Sequence, residues 1–451
     1  MANTKSIHGE WSSRFAYILA ATGSAVGLGN IWKFPYITGE NGGGAFVLVY
    51  LGCVLAIGIP IMIAETMMGR RGRQSPINTL STLSIEAGAD KNWHYLGWMG
   101  VIAGMLILSY YSVIAGWASA YVIKAFFGGF SSDALEVKAV FDELIASPKQ
   151  LVFWHTAFMI VTMSVVMRGV NGGLEKAVRF LMPTLFVLLM LLVAYAMTTG
   201  EFYFKGISFL FDPDFSEIDG DAVLTAMGHA FFTLGLGMGA IMVYGSYLPS
   251  DVSIAKTTLY IAGADTIVAL LAGMAIFPLV FANGLEPGSG PGLIFQTLPI
   301  AFGSMMGGWL FGVLFFVLLV LAALTSSISL IEPAVAWLVE NKGFSRVKAS
   351  IVSGCGTWLL GICVAFSFNI WSDIKLFDKT IFDLLDYLTA NLMLPIGGFC
   401  IAVFAGWIMK QKHVEDELSL PEEQFKIWKI LVSYVAPISV FLVFLHVLGI
   451  F

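Results

Sequence analysis

Long apolar runs follow one another along the whole chain, separated by short segments that carry most of the charges and prolines. Most runs hold the roughly 20 apolar residues with which a helix crosses the hydrocarbon core of a bilayer. The polar–apolar alternation of barrel strands is absent. The pattern therefore predicts an all-α polytopic membrane protein. About eleven crossings are predicted, at 13–39, 43–70, 95–126, 151–168, 174–199, 222–248, 256–281, 307–340, 347–369, 380–409 and 427–450.

Composition narrows the class of protein further. Of 451 residues, 58% are hydrophobic and 12% charged, and the mean hydropathy is +0.84. A soluble enzyme of this size would need more polar surface. The net charge of −6 leaves no basic face for nucleic acid. We expect the lipid bilayer of the cell (plasma) membrane as a partner, and no nucleic acid.

The distribution of basic residues predicts a cytoplasmic N-terminus. Most lysines and arginines, including Arg70 and Arg71, would then lie inside, whereas the loop at 200–221 is acidic.

The loop at 282–306 contains an apolar piece, 292–302, that we expect to form a short helix over the outer opening. It also contains the turn signals Asn283-Gly284, Pro287-Gly288 and Gly290-Pro291.

Two glycine-rich clusters, 23–30 and 232–239, interrupt the first and sixth crossings near mid-membrane. Because the clusters are five crossings apart, the two halves of the chain face opposite ways, as expected of an inverted repeat with broken helices. The repeats would cover 13–199 and 222–409 within one transmembrane domain, 1–451, with an additional helix at 427–450. The alternative is that the glycines only allow close helix packing, which does not explain the adjacent Asn30 and Thr233.

Broken helices suit a particular ligand chemistry. Unwinding one turn frees several carbonyls, and glycine tolerates the backbone angles that this requires. Free amides at a broken helix end meet a carboxylate, and free carbonyls meet cations. A zwitterionic amino acid together with Na⁺ fits this chemistry.

Polar side chains inside the crossings point the same way, because a charge at the bilayer centre is costly. Asp265 has no Lys or Arg within a turn, so a cation or a proton is its expected partner. Glu65 is expected to accept hydrogen bonds from amides near a helix break. Lys33 and Asp386 are predicted to pair as an outer gate. The hydroxyls of 325–327 either reach a cation or bond back to carbonyls one turn earlier.

Four segments carry a resemblance to a known family: Gly23 to Pro35, Asn41 to Phe46, Ala230 to Leu234, and Leu324 to Ser327. With these, the sequence resembles the neurotransmitter:sodium symporter family, which has the LeuT-type fold of 5+5 inverted repeats. The resemblance implies a transporter and not an enzyme. It implies a sodium-coupled symporter that imports hydrophobic (aliphatic and aromatic) L-amino acids by alternating access, with two Na⁺ sites.

The resemblance also implies site residues. The first sodium would bind Ala25, Asn30, Thr233 and Asp265, and the second Gly23, Val26, Ala322, Thr325 and Ser326. Phe232 would act as a lid over the substrate. The substrate would lie among Ala25, Gly27, Leu28, Gly29, Ile107, Tyr111, Phe232, Thr233, Gly235, Met238, Ser326 and Leu330.

The chain departs from the family pattern at three positions. Lys33 replaces the arginine of the outer gate, so a contact with Asp386 becomes a weaker point contact. His8 replaces an arginine at the cytoplasmic end, which puts an inner-gate pair with Glu340 in question. Asp265 replaces the asparagine of chloride-dependent animal members, and its charge predicts chloride-independent transport. A proton-coupled amino-acid permease of the same fold is the alternative.

Overall fold

The computed structural model describes residues 6–286 and 292–447, and within these ranges it contains helices and no strands. Nine helices in the described ranges are long and apolar enough to cross a membrane. All nine lie within a few residues of a predicted crossing. They are Gly44–Gly72, Lys91–Gly128, Pro148–Val166, Val170–Thr199, Ile254–Ala282, Gly308–Lys342, Arg346–Phe366, Ile381–Ile408 and Glu422–Leu445.

The first and sixth predicted crossings are each built from two shorter helices. The first consists of Arg14–Ala25 and Gly29–Glu40, which meet at an angle of 51°. The sixth consists of Gly220–Thr233 and Ala240–Ser246. Both breaks fall inside the predicted glycine clusters, so this prediction is confirmed. Counted with the bent pair, the described residues contain ten helices apolar enough to cross a membrane. Together with the two helices at the sixth predicted crossing, they are called spans 1 to 11 below, in chain order.

Local sequence explains why each broken span begins and stops where it does. The Ala16 amide donates to the Ser13 hydroxyl, and the Ala222 amide donates to the Asp219 carboxylate at 2.7 Å, so both spans begin at a capped turn. The break in span 6 contains three glycines with φ of +64°, +83° and +73°. Only glycine adopts such angles without strain, so residues 234–239 stay non-helical. These glycines are Gly235, Gly237 and Gly239.

Short helices connect the spans: Pro76–Ala87, Ala134–Ala146, Glu201–Phe211, Leu298–Ser304 and Gln411–Leu418. The predicted apolar piece is helical from Leu293 to Ser304, as expected. A hydrogen bond attaches this helix to span 3, because the Tyr121 hydroxyl donates to the Phe295 carbonyl at 2.9 Å. Gly284 forms a turn with φ +64°. The other two predicted turns, Pro287-Gly288 and Gly290-Pro291, lie outside the described residues.

The helix of the last predicted crossing begins five residues before the predicted start. The helix begins at Glu422 instead of residue 427, because Pro421 precedes it and Glu422 and Glu423 occupy its first turn. The Lys426 ammonium contacts the Glu422 carboxylate at 2.6 Å, one turn apart. A charged helical turn outside the apolar run does not register in a pattern of hydrophobicity. Residues 448–450 of this prediction lie outside the described ranges.

Candidate functional site

The hydroxyls of span 8 face the break in span 1. The Ser326 hydroxyl donates to the carbonyls of Val26 at 3.2 Å and Gly23 at 3.4 Å. These carbonyls are available because the helix ends at Ala25 and its last carbonyls lack intrahelical partners. The Thr325 hydroxyl donates to the Ala322 carbonyl at 2.9 Å. The structure thus brings together the five residues predicted for the second sodium. Thr325 also makes the back-bond that sequence reasoning kept as the alternative.

Three of the four residues predicted for the first sodium, Asn30, Thr233 and Asp265, form a buried hydrogen-bonded cluster, and the fourth, Ala25, lines the neighbouring cavity. The Asn30 amide nitrogen donates to the Asp265 carboxylate at 2.8 Å and to the Thr233 hydroxyl at 3.0 Å. Thr233 in turn donates to Asp265 at 3.1 Å. The Asn30 side-chain oxygen accepts from the Gly27 amide at 3.0 Å. A buried carboxylate needs donors, so Asn30 turns its nitrogen, and not its oxygen, toward Asp265.

A small cavity of about 40 Å³ lies between spans 1, 3, 6 and 8. Eleven of the twelve residues predicted for the substrate line it. They are Ala25, Gly27, Gly29, Ile107, Tyr111, Phe232, Thr233, Gly235, Met238, Ser326 and Leu330. The twelfth, Leu28, lines the neighbouring cavity, and its amide donates to the Tyr111 hydroxyl at 3.1 Å.

Gly27 shows how closely the broken backbone approaches the polar side of this cavity. A Cβ atom at this position would lie 2.6 Å from the Ser326 hydroxyl and 2.7 Å from the Tyr111 hydroxyl. Any larger residue would therefore displace both hydroxyls. The lining combines the broken backbone of span 1 and the hydroxyl-bearing residues Tyr111, Thr233 and Ser326 with the apolar side chains of Ile107, Met238 and Leu330.

Comparison with known proteins assigns this architecture to a family. The sequence model of the sodium:neurotransmitter symporter family matches residues 8–131 and 130–450. The chain belongs to this family. Its members are secondary transporters and not enzymes, so the chain is a multi-pass membrane transporter of a sodium-dependent family.

Individual relatives agree with this assignment along nearly the full length of the chain. An uncharacterized sodium-dependent transporter of Bacillus subtilis, YhdH, is 37% identical to this chain, and the match covers 98% of each protein. One of Haemophilus influenzae is 35% identical, over 96% of this chain and 97% of that protein. A crystal structure of MhsT in complex with L-phenylalanine is 42% identical with a TM-score of 0.89, covering 97% of this chain and 99% of that one. The fold of this family member is therefore that of MhsT, as the resemblance implied.

A second cavity of about 280 Å³, the vestibule, adjoins the small cavity and is lined by Leu28, Lys33, Tyr110, Asp383 and Asp386 among others. Gly29, Tyr111 and Phe232 line both cavities, so the Phe232 ring lies between them, where a lid would lie. The Lys33 ammonium lies 4.7 Å from the centre of the Phe232 ring. Within the described residues, Lys33 forms no ion pair with Asp386, so the structure does not contain the predicted closed gate.

The opposite end of the site is closed by the N-terminal segment. The Trp11 indole donates to the Tyr244 carbonyl at 3.0 Å, just below the break in span 6. The His8 ring contacts the Glu340 carboxylate at 3.0 Å. The contact between His8 and Glu340 is therefore present although histidine replaces the arginine of the family. Glu340 also accepts from the Ser75 amide at 2.8 Å, which links span 8 to the loop after span 2.

Glu65 has the structural role expected from the sequence. Its carboxylate accepts a hydrogen bond from the Gly237 amide at 2.6 Å, inside the break of span 6. The side chain is completely buried. It stabilises an amide that the unwound turn leaves without a helical acceptor.

Sequence reasoning missed two groups of residues at the site. Glu332, buried in span 8, pairs with Arg346 and accepts from the Tyr247 hydroxyl at 2.7 Å. The rule that intramembrane charges require partners would have singled it out. Ser24 lies in the glycine cluster 23–30 but was not predicted as a site residue, although it also lines the small cavity. The Ser24 hydroxyl donates to Ser329, which lies three residues after Ser326 and therefore on the same helix face.

Proposed function

We propose that this chain imports hydrophobic L-amino acids, aliphatic and aromatic, together with Na⁺ and independently of chloride. The small cavity carries the proposal, because it joins the backbone amides at the break in span 1 and the Tyr111 hydroxyl to an apolar wall. The amides and the Tyr111 hydroxyl can donate to the carboxylate of an amino acid. The carbonyls near Ala25, Phe232 and Thr233 can accept from its ammonium, and the apolar wall can hold its side chain. The complex of MhsT with L-phenylalanine supports this class of substrate.

Two sodium ions accompany the substrate in this proposal. Sodium binds mostly neutral oxygens, which the carbonyls of Gly23, Val26 and Ala322 and the hydroxyls of Thr325 and Ser326 supply at the second site. At the first site the ligands are the Ala25 carbonyl, Thr233, Asp265 and Asn30. Asn30 must rotate its amide to present the oxygen that now accepts from the Gly27 amide. The substrate carboxylate completes this site, which couples sodium binding to substrate binding.

Asp265 explains the proposed independence from chloride. It is completely buried, and its hydrogen bonds come from the neutral groups of Asn30 and Thr233. Its carboxylate supplies a fixed negative charge beside the first sodium. A diffusible anion is then not needed to neutralise that ion.

Transport proceeds by alternating access in a chain of two inverted repeats, 13–199 and 222–409, with the N-terminus in the cytoplasm. One helix bundle rocks against the rest of the protein. Substrate enters through the vestibule and passes Phe232. Closure moves the Lys33 ammonium from the Phe232 ring to Asp386. Opening on the other side separates Trp11 from Tyr244 and His8 from Glu340.

The test is uptake of labelled leucine and phenylalanine into proteoliposomes. We expect uptake to require an inward sodium gradient and to persist when gluconate replaces chloride. An imposed pH gradient without sodium should drive none. Uptake driven by protons alone would replace the proposal with a proton-coupled permease, and loss of uptake without chloride would refute its chloride independence.

A further inference from the structure

Ser24 lines the small cavity together with Ile107 and Leu330. The Ser24 hydroxyl donates to the Ser329 hydroxyl at 2.8 Å. The Ser329 hydroxyl donates to the Ser326 carbonyl at 2.8 Å. Ser24 and Ser329 are 9% and 1% exposed, so water does not compete substantially for either bond.

The direction of this chain of hydrogen bonds is fixed by its end. A carbonyl only accepts, so the Ser329 proton must point to Ser326, and Ser329 is left as the acceptor for the Ser24 proton. The Ser24 proton is therefore used in the bond to Ser329. The Ser24 oxygen keeps acceptor lone pairs with which it can bind a donor on a ligand.

The other hydroxyls that line the cavity are engaged with the backbone or with the sodium ligands. Tyr111 accepts from the Leu28 amide, Thr233 donates to Asp265, and Ser326 donates to carbonyls of span 1. Ser24 therefore adds to the cavity an acceptor that is not needed for the carboxylate, the ammonium or sodium.

We propose that the Ser24–Ser329 pair selects, among hydrophobic amino acids, those whose aromatic side chain carries a hydrogen-bond donor. The phenol of tyrosine and the indole of tryptophan have such a donor, whereas phenylalanine and leucine do not. This inference rests on the proposed import of hydrophobic amino acids and specifies its substrate preference. Ser24 is a specificity-determining residue in this view, and Ser329 positions its proton.

Substrate pairs that differ only in the donor test the proposal on the unmodified protein. Equilibrium competition against labelled leucine compares tyrosine with phenylalanine, and tryptophan with 1-methyltryptophan. We expect the donor-bearing member of each pair to bind about two- to twelvefold more tightly, the range that one neutral hydrogen bond contributes. Equal affinities within both pairs would overturn the proposal. If leucine itself does not bind, it is the proposed function that fails.

Ser24→Ala then removes the acceptor, and we expect the two affinity ratios to fall to about one. Thr22→Val is the matched control, because Thr22 is a buried hydroxyl on the same helix with no hydrogen-bond partner among the described residues. Its ratios should equal those of the unmodified protein. Ratios that stay high in Ser24→Ala would assign the preference to another group. Because each ratio is internal to one variant, a lower yield of folded protein does not affect it.

Discussion

Asn30 donates hydrogen bonds to both the carboxylate and the main-chain carbonyl of Asp265, at 2.8 and 3.2 Å. The two residues lie on spans 1 and 7, so one amide joins the broken helix to an intact one. A cation that binds Asp265 competes for the carboxylate that this amide now occupies. Sodium binding should therefore change the contact between the two spans as well as the charge of the site.

Asp265→Asn keeps the shape of this side chain and removes its charge. We expect sodium-driven uptake to fall by about tenfold or more, the cost of losing a hydrogen-bonded charge. The remaining uptake should rise with added chloride, because a mobile anion can take over the lost charge. Uptake assays in chloride and in gluconate measure both effects.

Asp373→Asn is the control for this variant, since Asp373 is exposed in the loop between spans 9 and 10. Its uptake should match that of the unmodified protein in both media. An Asp265→Asn variant that transports equally well in gluconate would contradict the role given to the charge.

Thr325→Val tests the second sodium site without altering the shape of span 8. The variant loses the hydroxyl that now bonds to the Ala322 carbonyl. We expect the sodium concentration for half-maximal uptake to rise about three- to tenfold, because one neutral ligand is lost. Ser327→Ala is the neighbouring control, since the Ser327 hydroxyl has no hydrogen-bond partner among the described residues. An equal shift in both variants would argue against a ligand role for Thr325.

The sequence predicted the positions of the breaks in spans 1 and 6, and in span 6 the cause is local. Glycine at 235, 237 and 239 adopts angles that other residues avoid, and no distant contact is needed to infer this. The orientation of the Asn30 amide was not predictable in the same way. It depends on Gly27 and Asp265, one of which lies 235 residues away. Pairs such as Ser24 and Ser329 likewise meet only in the folded protein.

Arg346→Gln should destabilise the protein through Glu332. Glu332 is completely buried, and the Arg346 guanidinium contacts both its oxygens, one of them at 2.7 Å. Leaving a buried carboxylate unpaired costs about 3–5 kcal/mol. We therefore expect a markedly lower melting temperature for the purified protein in detergent.

The double variant Arg346→Gln/Glu332→Gln should recover much of this loss, because it removes the charge together with its partner. Lys426→Gln breaks the exposed pair with Glu422 and should leave the melting temperature unchanged. If the double variant melts no higher than Arg346→Gln alone, the penalty has a cause other than the unpaired charge.

Met238→Ile should narrow the range of substrates. Met238 lines the small cavity, and its methyl carbon lies 3.8 Å from the point where a Cβ of Gly235 would be. Methionine is unbranched and adapts to different side chains, whereas isoleucine is branched at Cβ and held near one rotamer. The isoleucine side chain cannot change its conformation to make room for a large substrate. We expect the affinity for tryptophan to fall at least about fivefold relative to leucine, as in an overpacked core.

Competition against labelled leucine measures this ratio for the variant and for Met242→Ile. Met242 lies on the same span, buried below the break and away from the cavity lining. It should therefore keep the original ratio of tryptophan to leucine affinity. A similar loss of tryptophan binding in both variants would point to a general effect on span 6. A loss confined to Met238→Ile would assign the breadth of substrates to the flexibility of one side chain, because both variants make the same chemical change.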